Sequence, residues 1–327
     1  MVVRVLNFGG IITELCVPDR NGSFQDIVLG FDNLQQYELD QMYFGCVVGR
    51  VAGRISGGRL RIGDSSYSLP INNGENHLHG GMNGFNRALW SVAIDSRTNS
   101  ITLSYSSNDG EEGYPGKLEI EVSYTLSDDN QLKVDYSAIT DKMTVVNLTQ
   151  HSYFNLSGIP GSSVRDHWLM VDAGHILELN DNSVPTGALL PVADTPFDLR
   201  LKKQIGAGIH DEHEQLELGN GYDHYWVLNK KEDAREAKLA AVFFHEESGR
   251  QMEVFTTEPG IQIYSANFLN QSIIGKQGAA YDSQSAICLE TQQYPDAPNQ
   301  PGFPSIVLRP GETYRSMTWF SFTAQPR

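Results

Sequence analysis

Cysteine is scarce: Cys16, Cys46 and Cys288 are the three in 327 residues, without the density of a secreted disulfide scaffold or the paired spacing of a zinc ribbon. Their apolar neighbours fit reduced thiols, so a reducing, cytoplasmic setting is expected. No hydrophobic run reaches membrane-spanning length, and Met1 to Gly10 shows neither a long apolar segment nor a small-residue cleavage site. A basic stripe is missing too: 24 Lys and Arg are scattered among 40 Asp and Glu, for a formal charge of -16. Nucleic acid and anionic membranes are held by clustered cations, so neither is an expected partner. The charge itself reads as surface solubility and suits a neutral, hydroxyl-rich small molecule. Low-complexity tracts, Pro/Ser linkers and fixed-period repeats are absent, which leaves one domain over residues 1–327 as the simplest reading. Helical periodicity is also rare; the best stretch follows Asp32, placed to cap a short helix from Asn33 to Leu39.

What the chain has in abundance is period-two alternation punctuated by 31 Gly and 14 Pro. Val122, Tyr124 and Leu126 share one face, and Leu132, Val134 and Tyr136 repeat the pattern after an Asp-Asp-Asn-Gln turn, which predicts a hairpin. Further strands are expected over Ile101 to Tyr105, Val242 to His245, Met252 to Phe255 and Ile261 to Tyr264, with Ser248-Gly249-Arg250 as a turn. Many strands and few helices predict an all-β fold, a large antiparallel β-sandwich whose open face or groove holds the ligand.

Chemistry is suggested first by two groups far apart in sequence. His151 lies among hydroxyl, amide and aromatic side chains in Asn147 to Leu156, and Glu290 ends the apolar run of Cys288-Leu289-Glu290. Each sits where a strand meets a polar turn, which suits an acid and a base on opposite sides of one substrate. His77 and His79 are two apart and would share a face on a strand. A metal site needs more than two histidines, and no carboxylate follows at matching distance, so one structural and one loop histidine is the default. Arg50 and Arg54, four apart, would also share a strand face, where paired arginines most often form surface ion pairs. Asp223 stands beside Tyr222, Tyr225 and Trp226; carboxylates next to aromatic rings suit sugars, and they are equally common in β cores.

Taken in order, several segments resemble the aldose 1-epimerase (galactose mutarotase) family over nearly the whole length. They are Gly49 to Ile55 (Gly-Arg-Val-Ala-Gly-Arg-Ile), Leu78 to Gly81 (Leu-His-Gly-Gly), Asp109 to Gly116, His151 to Leu156 (His-Ser-Tyr-Phe-Asn-Leu), Pro185 to Gly187, the Asp223 segment and Leu289 to Gln292 (Leu-Glu-Thr-Gln). The resemblance implies a β-supersandwich that interconverts the α and β anomers of free hexoses without cofactor or metal, as a monomer or weak homodimer. It makes Glu290 the general base and His151 the general acid, with Arg54, His79, Asp223 and Gln262 binding sugar oxygens. His77 has no such counterpart.

Two positions depart from the pattern: Gly53 and Gln150 stand where many members have Asn. A hydrogen bond lost or displaced there is expected to alter rate or sugar preference. The early start at Leu6-Asn7-Phe8-Gly9-Gly10 predicts a short or absent leading edge strand. Three other readings stay open: a non-catalytic sugar binder on the same fold, an epimerase of hexose phosphates, and a metal enzyme using His77 and His79. The first has no need of an acid–base pair, the second wants extra cations, and the third would be sensitive to EDTA.

Overall fold

A computed structural model describes residues 1–229 and 236–326. The alternation read from the sequence sets its architecture. Leu118–Leu126 and Gln131–Thr140 pair antiparallel, with Val122 opposite Tyr136 and Tyr124 opposite Val134, so both apolar rows fall on one face. This is the expected hairpin. It lies inside a nine-stranded antiparallel sheet ordered Lys203–Gln204, Trp168–Val171, Lys238–Phe244, Arg250–Thr256, Tyr314–Ala324, Gln131–Thr140, Leu118–Leu126, Ser100–Ser107 and Ser91–Asp95. The other expected strands are present, although His245 lies just past Phe244 and begins the turn through Ser248 and Gly249.

A six-stranded antiparallel sheet is ordered Tyr153–Phe154, Ile287–Gln292, Gly260–Tyr264, Asp223–Leu228, Ala173–Leu179 and Pro185–Pro191. One face buries Trp226, Ile261, Ile263 and Leu289 in the same core as Val134, Val254 and Phe320 of the larger sheet. Each such side chain contributes roughly 1.5–3 kcal/mol by leaving water. Strand alternation then forces the intervening residues, Asp223, Gln262 and Glu290 among them, onto the opposite face. A one-residue slip of register would exchange the two sets, so the hydrophobic core is what aims the polar side chains.

Of two local expectations, the helix cap differs from the structure and the short leading strand is met. The short helix, Leu34–Leu39, is capped by Asn33, whose side chain accepts the Gln36 N–H; Asp32 instead accepts the Gln277 N–H at 2.8 Å. The leading strand exists as Val2–Val5, a short edge paired with Ile12–Pro18. Among the described residues no helix is long and apolar enough to cross a membrane.

Candidate active site

Register places the polar residues of the six-stranded sheet. Gln262 stands opposite Tyr225 on one side and Glu290 on the other, while Tyr264 stands opposite Asp223 and Cys288. His151 joins this face because Tyr153 pairs with Cys288, which brings the residue two positions earlier beside Glu290. Backbone bonds from His151 N–H to the Cys46 carbonyl and from Gly45 N–H to the His151 carbonyl fix it there. His151 Nε2 lies 3.5 Å from Glu290 Oε1. Arg54, Asn73, His79 and Tyr43 come from short strands and loops and wall a cleft of about 250 Å³. That volume falls near the small end of ligand pockets, typically ~300–1,000 Å³, and suits a single small molecule.

Burial governs the electrostatics. His151 is 4% and Glu290 1% exposed. Removal from water pulls the His151 imidazole down to about 4. It pushes the Glu290 carboxyl well above its usual range, with nearby Asp223 adding to the rise and Arg54 opposing it. His151 Nδ1 and Glu290 Oε2 are enclosed and have no protein partner. The histidine ring stacks on Tyr43 and Tyr153, at centroid distances of 5.9 and 5.2 Å. At the far side of the cleft, Asp223 accepts from Gln262 Nε2 at 2.8 Å and lies 3.8 Å from the Arg54 guanidinium. Asn73 takes the Arg54 Nε–H at 3.0 Å. Burial raises the Asp223 carboxyl, partly offset by Arg54 and Gln262.

His79 faces the same cleft, and its tautomer is set by the backbone. Gly53 N–H donates to His79 Nδ1 at 3.2 Å, which leaves the ring proton on Nε2. His79, His151 and Glu290 offer atoms within 4.8 Å of one another, a spacing a metal ion could use. A metal on His79 Nε2 would drive that proton to Nδ1, where two N–H groups would face each other. With the Gly53 bond in place His79 Nε2 is a donor, which disfavours it as a metal ligand. A second group, Asp166, His167 and His245, has similar spacing. Its imidazoles are stacked at 4.3 Å and 21°, so their in-plane lone pairs run side by side instead of meeting at one point.

The structure brings together all six residues named from the family pattern, Glu290, His151, Arg54, His79, Asp223 and Gln262, around one cleft. It separates the pairs suggested by spacing alone. Arg50 and Arg54 do not share a strand face, because Val47–Val48 and Arg54–Ile55 are separate short strands. Nor is Arg50 a surface residue: it is 2% exposed and donates to the carbonyls of Pro115 and Gly116 at 2.9 and 3.0 Å and to Ser107 Oγ at 2.6 Å. His77 is likewise structural, bonded to Tyr114 Oη and the Pro70 carbonyl, both at 2.7 Å. Gln150 is buried beneath the site, taking the Ser152 N–H at 2.8 Å and donating to the Gly45 carbonyl at 2.6 Å. Tyr225, noted beside Asp223, also lines the cleft, as do Tyr43 and Asn73, which were not singled out in sequence. Asn73 carried a turn signal, and Tyr43 stands in a loop where no periodicity applies.

The profile of the aldose 1-epimerase family matches residues 1–321. Galactose mutarotase of Mus musculus is 45% identical over 321 residues, spanning 98% of this chain and 91% of its own. Aldose 1-epimerase of Escherichia coli strain K12 is 34% identical, spanning 99% and 93%. Among solved structures, an aldose epimerase homologue from C. elegans aligns with a TM-score of 0.90 at 35% identity, over 98% of this chain and 95% of that one. The fold is accordingly galactose mutarotase-like. With a match running almost from end to end, the chain belongs to the aldose 1-epimerase family.

Proposed function

We propose that Glu290 and His151 are the acid–base pair of the aldose 1-epimerase reaction, and that Arg54, His79, Asp223 and Gln262 hold the sugar. The activity itself follows from the family: isomerisation between the α and β anomers of an aldose. Galactose and glucose are the substrates we assign, on the likeness to enzymes named galactose mutarotase. The observation that carries the residue roles is the 3.5 Å contact of His151 and Glu290 at the cleft, with the remaining nitrogen and oxygen of each unpartnered.

In the forward direction the Glu290 carboxylate takes the proton of the anomeric hydroxyl. The C1–O5 bond breaks, its electron pair goes to O5, and the His151 imidazolium protonates that oxygen. Rotation about C1–C2 in the open-chain aldehyde presents the other carbonyl face. Closure returns both protons by the reverse path. An acid that starts protonated and a base that starts ionised call for different environments, yet both groups share one enclosed site. Burial in the cleft favours the uncharged pair, a protonated Glu290 beside a neutral His151. The reacting pair, carboxylate and imidazolium, contains the same number of protons, so one transfer across the 3.5 Å contact prepares it. Sugar hydroxyls supply the hydrogen bonds that favour the charged forms.

Polarimetry on freshly dissolved α-D-galactose and α-D-glucose, before and after EDTA treatment, tests the reading. Accelerated rotation that survives EDTA is expected. Loss of activity with the chelator would return the metal reading to the front, and no acceleration with either sugar would favour a binder or a phosphosugar enzyme.

A further inference from the structure

Gln292 follows Glu290 by two residues on the Ile287–Gln292 strand, so alternation sends both side chains to the cleft face. It lines the cleft, is 1% exposed, and its Oε1 has no protein donor. The register explains how it is held. Its cross-strand neighbour is Gly260. A Cβ at Gly260 would stand 2.1 Å from Cζ of Tyr225, so only glycine lets that ring lie across the strand. The Tyr225 hydroxyl then donates to the Gln292 carbonyl at 3.0 Å. The backbone of Gln292 is thus pinned while its side-chain oxygen is left unpaired.

An enclosed amide oxygen without a donor has lost its hydration with nothing in return, and at a ligand cleft that cost is relieved by a ligand hydroxyl. The sheet face gives its position relative to the sugar. Three rows cross the strands: Cys288 with Tyr264 and Asp223, Glu290 with Gln262 and Tyr225, and Gln292 with Gly260 and Val227. Glu290 therefore stands between the Asp223 row and the Gln292 row. Along the strand, Gln292 is displaced from Glu290 by two residue rises, ~7 Å.

We propose that Gln292 is a further sugar-binding residue, whose carboxamide takes a hydroxyl on the side of the sugar opposite Asp223. The proposal rests on the sugar-binding reading of this cleft. Rotation about the last side-chain bond of glutamine is soft, so the amide turns to accept from the hydroxyl or donate to it. Discrimination then comes from one hydroxyl's presence, since a site built to bond a hydroxyl disfavours the analogue that lacks it.

The test is Gln292→Met, which removes donor and acceptor at similar length, with Gln292→Leu as a second variant; circular dichroism and thermal unfolding establish that each is folded. KM for galactose and glucose is expected to rise about 10-fold, the worth of one hydrogen bond. Turnover is expected to stay within about threefold, as for a contact made equally before and during the reaction. Deoxy sugars lacking a single hydroxyl at C2, C3, C4 or C6 then locate the contact: for one of them wild type and variant converge. An unchanged KM, or an equal loss for every deoxy sugar, overturns the proposal. If the wild type accelerates no aldose, the epimerase reading itself fails. Calorimetric titration with the same sugars then decides Gln292 separately, weaker binding by the variant supporting it and equal binding refuting it.

Discussion

Two places in this molecule set imidazole against carboxyl. In the cleft, His151 meets Glu290 at 3.5 Å; in turns flanking the nine-stranded sheet, His167 donates to Asp166 at 2.8 Å, with His245 stacked on His167. The histidines are alike: burial pulls both His151 and His167 down to about 4. The acids are not. Asp166 has a side chain 65% exposed, and its hydrogen bond from His167 lowers its carboxyl below the usual range. Glu290 is enclosed and raised, with one oxygen unpartnered. An exposed carboxylate already ionised and bonded has no proton to exchange near neutrality. A buried one, raised by desolvation against a neutral imidazole beside the cleft, is held toward its protonated form.

Amide substitution breaks the comparison most sharply. Glu290→Gln and His151→Asn are each expected to lower kcat by about 10²–10⁴-fold, the usual worth of a positioned acid or base, while the fold survives. Asp166→Asn is expected to leave kcat within about twofold, as substitutions outside the cleft do. Polarimetry on the three variants, with circular dichroism as the control, makes the measurement. Near-normal turnover by folded Glu290→Gln would remove the carboxyl from the mechanism.

The pH–rate profile comes next. The reacting pair must hold one exchangeable proton, whichever partner carries it. Adding a second charges His151, so the acid limb of kcat/KM is expected near pH 4. Removing the only one ionises Glu290, so the alkaline limb lies well above the ordinary carboxyl value of 4.5. The result is a bell bounded by the two groups. An acid limb at the ordinary imidazole value of 6.5 would mean that His151 is not enclosed in the working enzyme.

The two acids also leave opposite marks on stability. A carboxyl raised by folding favours the native state below its unfolded value, and that contribution is lost as pH rises through the folded value. Glu290 therefore weakens the fold at alkaline pH, and Glu290→Gln is expected to raise Tm there. Asp166 has the reverse sign: its lowered carboxyl favours the fold above the unfolded value of 3.8 and ceases to as pH falls. Asp166→Asn is expected to lower Tm slightly at neutral pH, since its exposure screens the effect. Scanning calorimetry at pH 7 and 9 separates the signs, and a shared sign would undo the contrast.

How much of this was legible beforehand divides along the same physical line. Strands announced themselves because burial on one face imposes period two, as in Val122, Tyr124 and Leu126. His151 and Glu290 stood out as an acid and a base where strands meet polar turns, whereas the roles of Arg54, His79 and Gln262 were legible only through the family pattern, because the cleft residues converge through long-range pairings that no local spacing encodes. Arg50 illustrates the limit. Its four-residue offset from Arg54 suggested a shared face, yet the chain between them leaves strand geometry and Arg50 turns inward to satisfy backbone carbonyls. His77 and His79 part for the same reason, since His79 adopts a φ of 52° just past a two-residue strand. Gln292 was readable in principle, two residues beyond Glu290 on one strand, but its significance depends on an unpaired oxygen that only packing reveals.

Gly53 carries the smallest expected effect and bears on the tautomer of a cleft histidine that the backbone sets. Its N–H holds the His79 proton on Nε2, and a backbone donor is indifferent to the side chain attached to it. The φ of 77° lies in the left-handed region, which asparagine tolerates better than other non-glycine residues. An added Cβ would meet Pro295 Cβ at 3.1 Å, close enough to demand a shift of a few tenths of an ångström. Gly53→Asn is therefore expected to keep kcat within about threefold and to cost under about 1 kcal/mol, in line with substitutions that remove no buried partner. Gly53→Val carries a β-branch into the same conformation and is expected to lose more of both. If Gly53→Asn instead lowers kcat as far as His151→Asn does, the backbone bond to His79 is part of the proton path and not a support for it.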